Sequence, residues 1–296
     1  IKPEFVTENG ETKIIRRDTT TYAGNFGYGA TLSYNIRRKL FVISSNGNAY
    51  ILPDETQLYG DPATNILPNL HLKPEKNVNY NLGFRWGALD FGKHKISFYA
   101  SAFWRNGFYK ITRQAVDESE IQKEEDADIQ TTRYVNLGKT QARGVEGEII
   151  YVYNNRLNAA FNFSKFNNLF KQETDDAGNA NSFYNQQIPN EPFFTINTNL
   201  QYRLDNVFQK RSVLNLYYSG GYVGKYYVVW GQPEWSATPT QVAHDIGASY
   251  RLPNEKLVIS VDVKNLFNAE LYDNFAVQKP GRGIYIKLNY TISKFL

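Results

Sequence analysis

Short and long connections alternate strictly between the segments of this chain, and that order limits what it can fold into. The short ones are Ile36 to Leu40, Leu89 to Lys95, Tyr153 to Arg156, Leu204 to Ser212 and Leu252 to Leu257. The long ones are Ser44 to Val78, Gly107 to Arg133, Asn167 to Pro192, Ser219 to Thr240 and Phe267 to Arg282. Antiparallel strands joined in this way carry every long loop at one end of the sheet. A soluble Greek-key sandwich has no reason to do so, whereas a transmembrane barrel has short turns on one side and long loops on the other.

The segments between these connections alternate apolar and polar residues with the period of a strand. Eleven are long enough to cross a bilayer as tilted strands. Tyr28–Ile36 sets Ala30, Leu32, Tyr34 and Ile36 against Gly29, Thr31, Ser33 and Asn35. Leu40–Ala49 alternates more weakly. In Asn79–Leu89, Tyr80, Leu82, Phe84 and Trp86 share a face, and the next strand shows Ile96, Phe98, Ala100, Ala102 and Trp104. Tyr134–Tyr153, Arg156–Phe170, Phe193–Leu204, Ser212–Val229 and Thr240–Leu252 follow. In the closing pair, Leu257, Ile259, Val261 and Val263 and then Ile284, Ile286, Leu288, Tyr290 and Ile292 form one apolar face. No segment carries a helix-period stripe of useful length, so an all-β antiparallel fold is predicted. An odd strand number leaves one edge without a partner, or hides a further strand within Glu4 to Arg17. An unpaired edge in hydrocarbon is costly, so the chain is read as the C-terminal part of a longer barrel.

Composition is consistent with this and excludes other classes. Mean hydropathy is −0.51, and no run approaches the roughly 20 apolar residues of a membrane helix. Half of each barrel strand faces water, so a transmembrane barrel remains compatible with low hydropathy. Aromatic residues reach 15%, with 22 Tyr, 19 Phe and 4 Trp, side chains that suit membrane interfaces and ligand surfaces alike. The net charge of +4 is mild, and no basic run with interleaved aromatics points to nucleic acid. Cysteine is absent, which removes disulfides, thiolate metal sites and thiol catalysis.

LYG at Leu58–Gly60 with PNLHLKPE at Pro68–Glu75, YVNLGKTQARGVEGE, IPNEPFFTINTNLQY and the closing NLFN at Asn265–Asn268 stand in an order that resembles the TonB-dependent outer-membrane receptors. The first is similar to the block before a mid-barrel strand of siderophore and haem receptors. YVNLGKTQARGVEGE, Tyr134–Glu148, is similar to the segment with the family's Gly-Val-Glu turn, and IPNEPFFTINTNLQY, Ile188–Tyr202, to a Pro-led approach to a later strand. The end resembles the family's C-terminal signature: Asn265, Leu266, Phe267 and Asn268, then Tyr272, Gly281, Arg282, Tyr290 and Phe295. The final Leu296 departs from the aromatic on which members commonly finish.

The resemblance implies a barrel of about 22 strands closed by an N-terminal plug, of which residues 1–296 would be one C-terminal portion without the plug. It also implies a bacterial outer-membrane location and contact with outer-membrane lipid. A ferric siderophore, a similar iron complex or haem would be captured and imported, energised by TonB through that plug.

Candidate sites are read against bland alternatives. His71, His94 and His244 lack ligand spacing, and no serine sits in a nucleophile elbow, so neither catalysis nor a resident cofactor or metal is expected. His71 is either a surface histidine or a haem contact. The carboxylates Asp117, Glu118, Glu120, Glu124, Glu125, Asp126 and Asp128 belong either to a solvated loop or to a hard-cation site. Tyr222, Tyr226, Tyr227, Trp230 and Trp235 cluster around a long loop. They either cradle a flat chelate or form the interfacial girdle. Arg85, Arg105 and Arg143, on or near wet faces, either attract an anionic chelate or pair in the lumen. A soluble all-β carbohydrate-binding module is the reading from a different class.

Overall fold

The computed structural model describes residues 2–8, 11–17, 24–116, 131–174, 178–274 and 277–292. Phe295 and the carboxylates from Asp117 to Asp128 lie outside these residues. Eleven strands form one sheet: β1 (Tyr28–Arg37), β2 (Leu40–Ile51), β3 (Glu75–Phe91), β4 (His94–Phe108), β5 (Thr140–Tyr153), β6 (Leu157–Phe170), β7 (Phe194–Asp205), β8 (Val213–Val223), β9 (Gln241–Arg251), β10 (Leu257–Lys264) and β11 (Gly283–Tyr290). Every strand pairs antiparallel with its neighbour in sequence. A separate hairpin, Lys2–Glu8 with Glu11–Arg17, pairs with itself rather than with β1.

The tight turns all use a left-handed backbone. Arg38 and Lys39 join β1 to β2 at φ of 21° and 66°, Gly92 turns β3 into β4 at 67°, and Asn154 and Asn155 turn β5 into β6 at 48° and 52°. Asn and Gly are the residues that reach this region at least cost, and the resulting twist matches that of the flanking strands.

The register settles which face each residue joins. Leu82, Ala102, Val145 and Lys165 lie in one row across β3 to β6, and Phe84, Ala100, Gly147 and Phe163 in the next. Farther along, Tyr250, Ile259 and Leu288 align across β9 to β11. Large apolar side chains of these rows are bare: Leu82 is 60% exposed, Ile286 72% and Leu288 68%. The opposite rows are polar. Asn81 donates to Ser45 Oγ at 3.0 Å, Asn197 to Asn162 Oδ1 at 3.1 Å, and the Tyr217 hydroxyl to Asp262.

One sheet therefore has an apolar outward face and a hydrogen-bonded lumen face, while few apolar side chains are buried. That is the arrangement of a membrane barrel wall, whose apolar side is solvated by lipid. The closing strands agree: the Leu257 to Val263 and Ile284 to Tyr290 rows face outward together.

Several boundaries differ from the sequence expectation. The span from Tyr134 to Tyr153 is two elements. Thr132–Leu137 pairs with Lys110–Ala115 and, in parallel, with Ile66–Leu67, forming a small sheet within the loops. The span from Ser212 to Val229 ends as a strand at Val223, and Tyr226–Tyr227 pairs with Ala237–Thr238. The first long connection shrinks to residues 52–74 because the weakly alternating strand runs on to Ile51. That connection holds an α-helical turn, Glu55–Tyr59, capped by the Asp54 side chain on the Gln57 N–H, and a 3-10 turn, Pro62–Thr64.

Candidate functional site

The long loops interlock above one end of the sheet. Phe170 at the end of β6 is 2% exposed and packs with Leu137 and Ile188. Trp230 closes this cluster, edge-on to Phe170 at 5.7 Å between centroids and tilted on Phe183 at 4.8 Å. Backbone ties reinforce it: Asn190 N–H donates to Tyr227 O at 2.7 Å, and Gly231 N–H to Gln186 Oε1 at 3.0 Å. On the other side Asn69 Nδ2 donates to Tyr134 O at 2.9 Å, and Asn136 Nδ2 to Lys73 O at 2.9 Å and Tyr109 O at 2.8 Å. Apolar packing and amide bridges thus give these loops an order of their own.

Beneath the loops the lumen face opens into a cavity of about 390 Å³ against β3 to β6. Its polar lining includes Glu75, Arg105, Lys110, Glu146, Asn168 and Glu191. Lys110 Nζ meets Glu191 Oε1 at 3.1 Å, and Asn168 Nδ2 donates to Glu191 Oε2 at 2.7 Å. Glu75 Oε1 accepts the Ile111 N–H at 2.7 Å. These contacts satisfy three of the charges. The Arg105 guanidinium instead stacks on Phe103 at 4.4 Å, which leaves its N–H groups to the cavity, a geometry suited to a flat guest.

Sequence reading singled out Arg105 but missed Glu75, Lys110, Glu146, Asn168 and Glu191. Strand parity is the signal for the lumen-facing ones. Glu191 reaches the cavity only because the loop after β6 folds back.

The five loop aromatics are not brought into one concavity. Tyr222 belongs to the outward row, aligned with Ile196 and Val242, and packs edge-on against Phe194 at 5.5 Å. Tyr226 is 5% exposed. The Tyr227 hydroxyl donates to Glu234 Oε1 at 2.9 Å, and Trp230 packs in the loop cluster. Trp235 is 70% exposed. The set that sequence reading treated as one is thus divided between the outward strand row and the loop.

His71 lies exposed in the loop before β3, its N–H donating to Asn69 Oδ1 at 3.1 Å. Among the described residues no group of three or more His, Asp or Glu is placed to hold a metal ion. Arg85 stacks on Phe41 at 5.1 Å in the lumen rows. Arg143, expected near a wet face, aligns with Trp104 in the outward rows because parity from Val145 places it there.

The C-terminal signature is a fastening. Asn265 is buried, and its amide bonds Ala269 in both directions at 2.8 Å. Its N–H donates to Asp245 Oδ1 at 2.8 Å, and Leu266 N–H to His244 O at 2.7 Å. Phe267 stands edge-on to His244 at 5.0 Å. Tyr272 N–H donates to Gln241 Oε1 at 2.7 Å. Arg282 N–H donates to Asn268 Oδ1 at 2.8 Å, and a Cβ on Gly281 would come within 2.6 Å of that same oxygen, so a side chain there would push the Asn268 amide off this bond. Tyr290 pairs with Leu257 on the outward face.

Residues 6–266 match the family described as TonB dependent receptor-like, beta-barrel. The chain belongs to this family. Solved structures share the fold of this TonB-dependent receptor barrel. A variant of the ferric enterobactin receptor PfeA of Pseudomonas aeruginosa is 19% identical, with a TM-score of 0.63 over 90% of this chain and 40% of that one. The FrpB iron transporter of Neisseria meningitidis is 18% identical, with a TM-score of 0.62 over 90% and 39%. The copper transporter OprC is 14% identical, with a TM-score of 0.62 over 89% and 39%. The chain spans about 40% of the length of the solved relatives it matches. No curated protein matches it in sequence.

Proposed function

We propose that this TonB-dependent receptor barrel is part of a bacterial outer-membrane receptor that captures a ferric siderophore or similar iron complex and imports it. TonB would drive the import through a plug domain. Residues 1–296 make one portion of the barrel wall. The observation that carries this reading is the family match laid over a sheet with a bare apolar face, a polar lumen face and interlocked loops at one end. An iron chelate is favoured because the structurally similar PfeA and FrpB are a ferric enterobactin receptor and an iron transporter. The Arg105 cavity supplies an exposed guanidinium plane suited to the flat ring of a catecholate.

The test is titration of the full-length protein in detergent with ferric enterobactin, a ferric hydroxamate, haem and a copper complex, read by tryptophan quenching. Saturable binding of a ferric siderophore is expected. A Soret shift with haem and no response to the siderophores would replace the ligand. Binding of no iron complex, with unimpaired growth of a deletion strain under iron limitation, would remove the reading.

A further inference from the structure

Two charges are left over in the cavity beneath the loops. Lys110 and Glu191 neutralise each other, and Glu75 takes a backbone N–H. Among the described residues Arg105 has no carboxylate within ion-pair distance, and Glu146 has no cation. What the Glu146 carboxylate does receive is the Tyr99 hydroxyl at 3.5 Å, the outer limit of a hydrogen bond.

The register fixes how far apart they stand. Arg105 lies opposite Ala142, Phe103 opposite Gly144 and Ser101 opposite Glu146. Four residues of strand therefore separate the two rows, about 13 Å at the rise of a strand. Arg105 is on the loop side, near the end of β4, and Glu146 lies deeper in the lumen.

The ground between them is aromatic. Phe103, 8% exposed, and Phe166 approach each other across β5 at 6.2 Å between centroids. That approach depends on Gly144, where a Cβ would lie 2.7 Å from the Phe103 ring. Both rings line the cavity, as does Ser164, which stands beside Glu146 in the ladder. At about 390 Å³ the space is at the small end of ligand pockets and fits one arm of a chelate.

We infer that the ligand of this receptor carries a primary ammonium on a flexible arm, and that the arm enters the cavity to set its ammonium on Glu146. The flat part of the ligand lies on the Arg105 guanidinium, and the methylenes of the arm cross the Phe103 and Phe166 rings. An ammonium has three N–H donors, which suit the Glu146 carboxylate and the neighbouring Ser164 hydroxyl. An anionic group at that depth would meet a like charge. A metal cation is a poorer match, because among the described residues no group of three or more His, Asp or Glu is placed to hold one. The inference rests on the reading of this protein as a siderophore receptor and narrows its ligand.

The full-length protein in detergent would be titrated with two pairs of ferric chelates, one trihydroxamate and one tricatecholate, each bearing a terminal amine that is either free or N-acetylated. Tryptophan quenching reads the affinity. Wild type is expected to bind the free-amine member of at least one pair about tenfold more tightly than its acetylated partner, the equivalent of one charge-assisted contact. E146Q should erase that preference by weakening the free-amine form alone. E148Q, on the same face but deeper and outside the cavity, should keep it. Unboiled-gel mobility shows whether each variant is folded, and the wild-type comparison of matched ligands decides if E146Q is not. Equal affinity of wild type for both members of every pair that binds, an unchanged preference in folded E146Q, or an equal loss in folded E148Q would overturn the inference. A wild type that binds neither member of either pair would instead overturn the siderophore reading, and the inference with it.

Discussion

Asn268 joins the last long loop to the last strand: its side-chain oxygen accepts the backbone N–H of Arg282 at 2.8 Å, fourteen residues away in sequence. Asn265 closes the same turn from inside, with its amide bonded to Ala269 in both directions. The strand pair that ends the sheet is thus positioned by two asparagine side chains at its loop end.

Asn268→Ala removes the bond that orders the start of β11 and should cost about 1–2 kcal/mol. Asn265→Ala removes both hydrogen bonds of a buried amide to Ala269 and should cost about 2–3 kcal/mol. The temperature at which the fast-migrating unboiled band disappears on a gel would rank wild type above N268A and N268A above N265A. Equal temperatures for all three would show that the turn is not a fastening.

Trp230→Ala opens the cluster formed with Phe170, Phe183, Leu137 and Ile188. Truncation of a buried aromatic typically costs about 3–5 kcal/mol, and Trp230 is only half-buried, so the lower end applies. The loss should stay local. Amide exchange is expected to accelerate in residues 181–191 and 226–237 while β5 and β6 keep their protection.

The loop from Gly224 to Thr240 carries a pH-dependent tie. Hydrogen bonds from Lys225 and then Tyr227 hold the Glu234 carboxyl below its ordinary value of 4.5, and the bond to Glu234 first of all raises the Lys225 ammonium above 10.5. The depressed acid contributes stability that is fully present above 4.5 and is lost as pH falls through its folded value. The raised base contributes stability that is fully present below 10.5 and is lost as pH rises through its folded value. The tie is therefore complete between about pH 4.5 and 10.5. Emission from Trp230 and Trp235 should change on the acid side of that window, and Glu234→Gln should abolish the acid-side change.

Trp235 is exposed where Trp230 packs in the loop cluster, so the two test ligand contact and loop order separately. Trp235→Ala should leave the melting behaviour unchanged and weaken binding of a ferric catecholate several-fold, since stacked aromatic contacts contribute about 0.5–1.5 kcal/mol. Arg105→Gln should weaken it about tenfold by removing the lumen cation. If the triple alanine variant at Tyr227, Trp230 and Trp235 binds and transports as wild type does, the loop aromatics have no part in recognition.

Period-two patterning makes most of the sheet legible, because an outward side chain meets hydrocarbon and an inward one meets water. Tyr80, Leu82, Phe84 and Trp86 declare β3 without ambiguity. The weak alternation of β2 has a physical cause: its lumen side carries Phe41 and Ile43, with Phe41 covered by the Arg85 guanidinium, while its outward rows turn polar at Ser44, Asn46 and Asn48. The loop sheet of Ile66–Leu67, Lys110–Ala115 and Thr132–Leu137 was hidden because its partners are far apart in sequence and its pairs are few. The lumen cavity shares that difficulty, with Glu191 and Lys110 meeting only after two loops have folded. The division of Tyr222 from Tyr226, Tyr227 and Trp230 turns on where the strand ends, which composition does not reveal.

The unbroken neighbour-to-neighbour order of the eleven strands bears on how the wall is assembled. Each hairpin needs only the one beside it as a template, so ordering can advance along the sheet one ladder at a time without threading a strand between two others. Closure of short turns such as Arg38–Lys39 and Asn154–Arg156 costs little entropy. The long loops can then settle last, once the strand ends that carry Phe170 and Thr140 have been brought side by side.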